Sequence, residues 1–281
     1  MKKNYFKILL VVFVINLLSA PILFAQGAYL NINTGYAMSM GSQNINNFTN
    51  QTLTSSLYTS EQVNVSLGKG LNLGGAFGYM FNKNFGLELD VSCLIGGNST
   101  ATRNEEGTNY TNIYNHSLSS KMLRINPSLV INSGFEKINP FAKFGVIIGS
   151  GYIMDEYTID RPDGFWINNY KLSGGTALGL SSVIGAMYNF SDKISIYGEL
   201  KMINLSYSPT NGNRIKSSYN EIDLLPSLKT SEKEIEFVDN ITKTYTNSNP
   251  SNNSNDLPKQ ELKYKYAFGS VGLNLGIRFS F

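Results

Sequence analysis

The chain is poor in the residues that most chemistry depends on. Among 281 residues it has one cysteine, one histidine and one tryptophan. A lone Cys93 excludes an internal disulfide framework. His116, equally alone, removes the usual ligand set for transition metals and the commonest general acid–base group. Charged residues make up 15% of the chain, against about 25% in ordinary soluble domains. The net charge of +3 is small and scattered, so there is no basic stripe for nucleic acid. Beyond the first 25 residues no apolar run is long enough for a membrane-spanning helix, which needs about 18 or more residues.

Tyrosine (17) and phenylalanine (16) are abundant, yet hydrophobic residues reach only 42% and mean hydropathy is −0.14. Segments that alternate apolar and polar residues average out in this way. The N-terminus departs from that texture. Lys2, Lys3 and Lys7 precede an apolar stretch from Ile8 to Leu18, broken by Ser19, Ala20 and Pro21. This order predicts a cleaved signal peptide over residues 1–25, cut near Ala25-Gln26, with residues 26–281 as the exported chain.

Period-two alternation predicts eight strands. They are Tyr29–Met38, Leu71–Phe81, Phe85–Ile95, Lys121–Ile131, Pro140–Gly149, Thr176–Phe190, Ile194–Ser206 and Lys263–Phe281. Each is about the length a tilted strand needs to cross a bilayer. The connections alternate between short and long. Asn82-Lys83-Asn84, roughly Asn132–Asn139 and Ser191-Asp192-Lys193 are short, whereas 39–62, 97–118, 152–171 and 208–262 are long. The expected fold is all-β: an antiparallel up-and-down barrel in a membrane, with short periplasmic turns and long extracellular loops. A hairpin in the loop at 208–262 raises the count to ten strands, and Glu234–Val238 is the segment that suggests one. Tyr79, Phe81, Phe85, Tyr188, Phe190, Phe279 and Phe281 share outward parity at the short-turn ends, which predicts a periplasmic aromatic girdle.

The last ten residues, Gly272-Leu273-Asn274-Leu275-Gly276-Ile277-Arg278-Phe279-Ser280-Phe281, resemble the C-terminal signature of bacterial outer-membrane proteins, with Leu275, Ile277, Phe279 and Phe281 matching its apolar positions. With the glycine-rich stretch Leu73–Tyr79, the exported chain resembles the small outer-membrane barrels of OmpA/OmpX type, the porin-family or outer-membrane β-barrel-domain proteins. The resemblance implies a place in the bacterial outer membrane, contact with its lipid, and recognition of the final strand by the barrel-assembly machinery.

Parity points Glu88, Asp90, Arg124, Lys143, Glu199, Lys201 and Arg278 inward, four basic and three acidic. An eight-stranded barrel is just wide enough for side chains to fill. The expected interior is therefore a closed network of ion pairs, the alternative being a narrow charged pore. Glycines 74, 78, 179 and 185 leave room either for water or for long side chains. Tyr264, Tyr266 and Phe268 break the parity of Val271–Phe281, which predicts a bulge near Gly269-Ser270 or an aromatic-filled upper lumen.

The loops, rich in Asn, Ser, Thr and Tyr, read as solvated surface, and Phe165 and Trp166 as a loop contact or an anchor in the outer leaflet. His116 beside Ser117 and Ser119 is an adjacency expected by chance, and Cys93 a passive lipid-facing residue. No catalytic, cofactor or metal constellation stands out. The expected function is an outer-membrane structural or surface-binding, adhesion-type scaffold whose surface ligand the sequence does not name. Alternatives are a passive channel for small solutes and an accessory role in a secretion system.

Overall fold

The computed structural model describes residues 27–41, 43–242 and 257–281. The predicted signal peptide, its cleavage site and most of the Thr242–Asn255 stretch lie outside the described residues. Eight strands carry the fold: β1 (Ala28–Ser39), β2 (Gly70–Met80), β3 (Phe85–Gly96), β4 (Thr111–Asn132), β5 (Ile138–Arg161), β6 (Ala177–Asn189), β7 (Ile194–Tyr207) and β8 (Ser270–Ser280). Each pairs antiparallel with its neighbours in chain order, and β8 pairs back onto β1 from Tyr29↔Ser280 to Ser39↔Ser270. The ring is closed, so the ladder leaves no edge in the hydrocarbon.

The register fixes the shape. From Tyr36, one path runs through Leu71, Ile95 and Lys121 to Tyr152 on β5. The other runs through Leu273, Leu200 and Ile184 to Ala142 on the same strand. The difference, 152 − 142, is a stagger of ten residues. With eight strands it gives a steeply tilted wall around a lumen sized for side chains alone. The β4–β5 ladder is interrupted once, at Asn126 and Pro127. Proline has no N–H to donate there.

The wall alternates as the sequence pattern requires. Leu30, Ile32, Leu73, Phe77, Leu87, Leu89, Leu123, Phe144, Ile184 and Leu275 are exposed on the outside. Their parity partners, among them Asn31, Glu88, Asp90, Arg124, Asn126, Glu199 and Asn274, are buried. In water such an outer face would be an untenable apolar patch; in a bilayer it is the solvated face. Side chains set the tight turns: Asn82 Oδ1 accepts the N–H groups of Asn84 and Phe85, each at 2.9 Å, and Ser191 Oγ accepts those of Lys193 and Ile194 at 3.3 and 3.1 Å. Gly134 takes φ +79 between β4 and β5, a conformation glycine adopts without strain.

The long connections depart from expectation. Their described residues are largely strands where solvated loops were expected. β4 and β5 run on for 22 and 24 residues, about twice the span of a membrane strand. Gln43–Leu53 pairs with Tyr58–Val65 as a hairpin and, in parallel, with Ser99–Glu106, which pairs with upper β4. On the other flank, Gly164–Ser173 joins upper β5 to Asn211–Tyr219. Glu234–Val238 is a strand, but it pairs with Asn211–Asn213 and Lys259–Leu262 outside the ring, which keeps eight strands. Polar residues on both half-exposed faces hid this extension from the hydropathy pattern.

The refolded barrel should migrate faster on a gel when unheated than after boiling. Deleting Ser270–Phe281 exposes the edges of β1 and β7 and should abolish the shift; a full-length chain that shows none would contradict the closed ring.

Candidate functional site

Two stacked layers fill the lumen. Starting from the short-turn end, Tyr29, Met187 and Arg278 floor a vestibule of about 660 Å³. Above them lies a buried ion cluster. Lys143 Nζ sits 2.8 Å from Glu88 Oε1 and 3.1 Å from Glu199 Oε2. Glu88 also accepts hydrogen bonds from the Tyr29 hydroxyl and Asn31 Nδ2, each at 2.9 Å, and Arg278 lies 3.8 Å away. Asn274 donates to Glu199 at 3.0 Å, and Arg278 Nε to Asn31 Oδ1 at 3.0 Å while its guanidinium stacks 3.7 Å over the Tyr29 ring. Two residues further along β3 and β7, Lys201 Nζ meets Asp90 at 3.3 Å, and Arg124 donates to Asn72.

All seven inward charged residues named from parity therefore line this lumen, and each carboxylate has a basic neighbour. Tyr29, Asn31, Asn72 and Asn274, on the same inward rows, are neutral groups that complete the network. Buried charge needs such completion, since an ion left unpaired after desolvation costs several kcal/mol. Two of the four glycines make room for rings, since a Cβ on Gly78 would strike Tyr29 and one on Gly185 would strike Phe141, whereas at Gly74 and Gly179 it would meet Ser92 and the Asn204 carbonyl. What space remains beside Arg124, Asn72, Lys201 and Asn274 is a cavity of about 10 Å³, the minimum for one water. The Arg124 Nε, without a protein partner, faces that level.

The second layer is apolar. Continuing up the same inward rows, Leu94 follows Ser92, Met122 follows Arg124, and Ile203 and Leu205 follow Lys201. They pack with Ile147, Leu118, Ile153, Leu172 and Tyr207 into one buried cluster. Phe48, Val65 and Leu67 from the first long connection and Phe237 from the last close it from above. Phe268, 1% exposed, packs edge-on against Tyr207 at 5.9 Å between ring centroids. The parity break in the last strand is thus resolved as an aromatic-filled lumen and no bulge: the register with β7 is the same at Ala267 and at Ser270, Phe268 N donates to Leu205 O at 2.8 Å between them, and the Phe268 ring fills the lumen. Tyr266 packs against the same cluster, and Tyr264 accepts a hydrogen bond from Gln43 at 3.0 Å.

Above the plug, the inner face of the extended sheet becomes polar and aromatic. Arg103, Tyr114, Ile159, Trp166 and Tyr219 are register neighbours across five strands. Arg103 and Arg161 flank the Tyr114 ring at 5.3 and 5.4 Å, and Trp166 stacks on Tyr219 at 4.4 Å. Partial desolvation raises the Glu105 carboxyl, but hydrogen bonds from Asn112 and Tyr114 and the Arg103 charge outweigh it and hold the group below the ordinary carboxylate range. Trp166 is consequently no outer-leaflet anchor: it shares the inner face with Leu172, well beyond the apolar wall, while Phe165 next to it is exposed.

His116 is a strand residue of β4, where a loop was expected. Its Nε2 lies 2.8 Å from Asp155 Oδ1, with Phe48 edge-on at 4.9 Å. Ser117, on the opposite face, meets Thr100 at 3.4 Å and does not join the pair. Among the described residues no group of His, Cys, Asp and Glu has metal-site geometry. Cys93 lies in the outward row between Leu73 and Leu123. At the short-turn end Phe81, Phe85, Phe190 and Phe281 are exposed, and Tyr79–Phe81 and Tyr188–Phe190 pack edge-on at 5.6 and 5.0 Å, with Phe279 half-buried beside them.

Glu88 is the centre of the polar layer. Glu88→Ala strips Lys143 of one carboxylate and leaves Tyr29 and Asn31 without their acceptor. It should lower unfolding stability in lipid vesicles by about 3–5 kcal/mol, more than the double variant Glu88→Met/Lys143→Met, which removes both charges. Urea titrations followed by tryptophan fluorescence would read both.

No curated protein matches the chain. Among solved structures it is similar to the Neisserial surface protein A (NspA), at 10% identity over 91% of this chain and 98% of that one with a TM-score of 0.38. It is similar also to the outer-membrane protein OprG from Pseudomonas aeruginosa, at 12% identity over 92% and 97% with a TM-score of 0.46. The model of the outer membrane protein beta-barrel domain matches residues 16–224, and the chain, an integral protein of the bacterial outer membrane, belongs to that family.

Proposed function

We propose that this protein is a closed outer-membrane scaffold that acts through its extracellular sheet rather than as a channel. The observation that carries this reading is the doubly filled lumen. A solute path would have to pass the Glu88–Lys143–Glu199 cluster and then an apolar plug whose buried Ser120 and Tyr207 hydroxyls are already bonded to backbone carbonyls. The intervening cavity holds one water at most, and a hydrophobic constriction of this kind excludes ions by dewetting. The extension of β4 and β5, with the strands docked on either side, supplies a rigid surface with exposed Tyr, Asn and Arg, side chains well suited to contact. Family membership supports the location and leaves the specific role open.

Planar-bilayer recording of the refolded protein is the test. The wild type should give no reproducible unitary steps. Phe268→Ala with Met122→Ala opens the plug but leaves the ion cluster in place, and should stay silent. Steps in the wild type that vanish when Arg124 or Glu199 is replaced would overturn the scaffold reading in favour of a pore.

A further inference from the structure

The outward face of the wall carries its own charge pattern where the apolar band ends on the long-connection side. On β4, Lys121 stands two residues beyond lipid-facing Leu123, between Ile95 and Tyr152 in register. Leading into β2, Lys69 stands two residues beyond Leu71. Gly97, at the top of the intervening β3, has no side chain, and Lys69 lies across it: a Cβ there would be 3.3 Å from the Lys69 Cε and 3.9 Å from the Tyr36 hydroxyl. On the far side, the Lys171 ammonium reaches back to the Tyr152 ring, 4.3 Å from its centroid. The sequence around the wall is therefore Tyr36, Lys69, Lys121, Tyr152, Lys171.

None of the three lysines has an acidic partner among the described residues. Glu156, an acid further up β5, accepts from Asn169 at 3.4 Å. The matching strand ends on the opposite half of the wall are the uncharged Met38, Leu178, Ser206 and Val271, and the exposed Lys265 lies six residues beyond Val271. Ammonium groups without acidic partners gathered on one sector just beyond the hydrocarbon edge, flanked by Tyr36 and Tyr152, complement one kind of neighbour.

We propose that this arc binds the phosphate of anionic lipid headgroups in the outer leaflet. The acyl chains would lie on Leu71, Ile95 and Leu123 below it, and the tyrosines would seat the headgroup at the interface. Each lysine at such a surface contributes roughly a fivefold gain in affinity.

The mature barrel, refolded in detergent, is titrated with phosphatidylglycerol or phosphatidylcholine and the retained lipid counted by native mass spectrometry. The wild type should retain phosphatidylglycerol preferentially. K69Q/K121Q/K171Q should weaken that retention on the order of a hundredfold, K69R/K121R/K171R should restore it, and K83Q/K137Q/K193Q, at the opposite rim, should leave it unchanged. The heat-dependent gel shift confirms that each variant is folded. Equal retention of both lipids by the wild type, or equal losses in the two glutamine triples, would overturn the proposal. So would displacement by inorganic phosphate at concentrations matching the lipid, which would assign the arc to free phosphate.

Discussion

In hydrocarbon a backbone amide has no partner but another backbone amide, and this one constraint governs the molecule. It is met at the seam where β8 pairs with β1, eleven register pairs from Tyr29↔Ser280 to Ser39↔Ser270. Without that seam both strands would present bare N–H and C=O groups to lipid, each at a cost of several kcal/mol. Closure of eight strands at a stagger of ten residues then sets the bore, and the bore sets what lies inside. A lumen too narrow for a water column has to be packed, so every inward position becomes a core position.

The chain fills that core with two chemistries, and their order makes physical sense. In the lower layer, long side chains from facing strands meet at the axis, and their charges are tolerable because the carboxylates and ammonium groups satisfy one another. Tyr29, Asn31 and Asn274 take up the remaining hydrogen-bonding capacity. In the upper layer that solution stops. Strands that leave the membrane meet long connections able to reach inward, and Phe48, Leu67 and Phe268 arrive with apolar groups. Leu94, Met122, Ile147 and Ile203 answer them. The plug therefore ties the extracellular sheet to the barrel: the hairpin from Gln43 to Val65 is anchored through Phe48 and Val65 in the lumen itself. A surface held that way keeps its shape, a property useful to a binding face and of no use to a pore.

Much of this was legible in the sequence, because the alternation that fits lipid on one face and a core on the other leaves a period-two trace. Phe81, Phe85, Phe190 and Phe281 marked the short-turn end, and Glu88, Lys143 and Glu199 marked the interior. Tyr29 carried the same inward parity but read as just another aromatic. The apolar plug had a signal too, in the doublets Leu94-Ile95, Met122-Leu123, Ile147-Ile148 and Met202-Ile203. Where both faces are apolar, alternation vanishes, and the doublets read as noise at the strand ends. The extracellular strands escaped for the converse reason. Asn, Thr, Ser and Tyr occupy both faces of segments such as Gln43–Leu53 and Gly164–Ser173, so hydropathy has no period to display, and only the pairing partners determine that they are strands. His116 followed the same rule: its meeting with Asp155 depends on the β4–β5 register, which no local pattern encodes.

The extracellular sheet is also lopsided, and this connects the two proposals. β4 and β5 continue far beyond the ring, while β6 ends at Ala177 and β8 at Ser270, so the ordered surface rises mainly over the sector from β2 to β5. Lys69 and Lys121 lie on the wall beneath that same sector, and Lys171 lies on the strand Gly164–Ser173 at its flank. A lipid phosphate held there would sit at the foot of the sheet and brace it against tilting in the leaflet, on the one side where the lever arm is long. On the other half of the wall, with Leu178 and Val271 at its upper edge, the ring strands β6 and β8 stop at the rim and the extracellular strands Asn211–Tyr219 and Glu234–Val238 are separate segments, so the lever arm is shorter there. The distribution of charge on the outside thus follows from the same strand lengths that give the protein its surface.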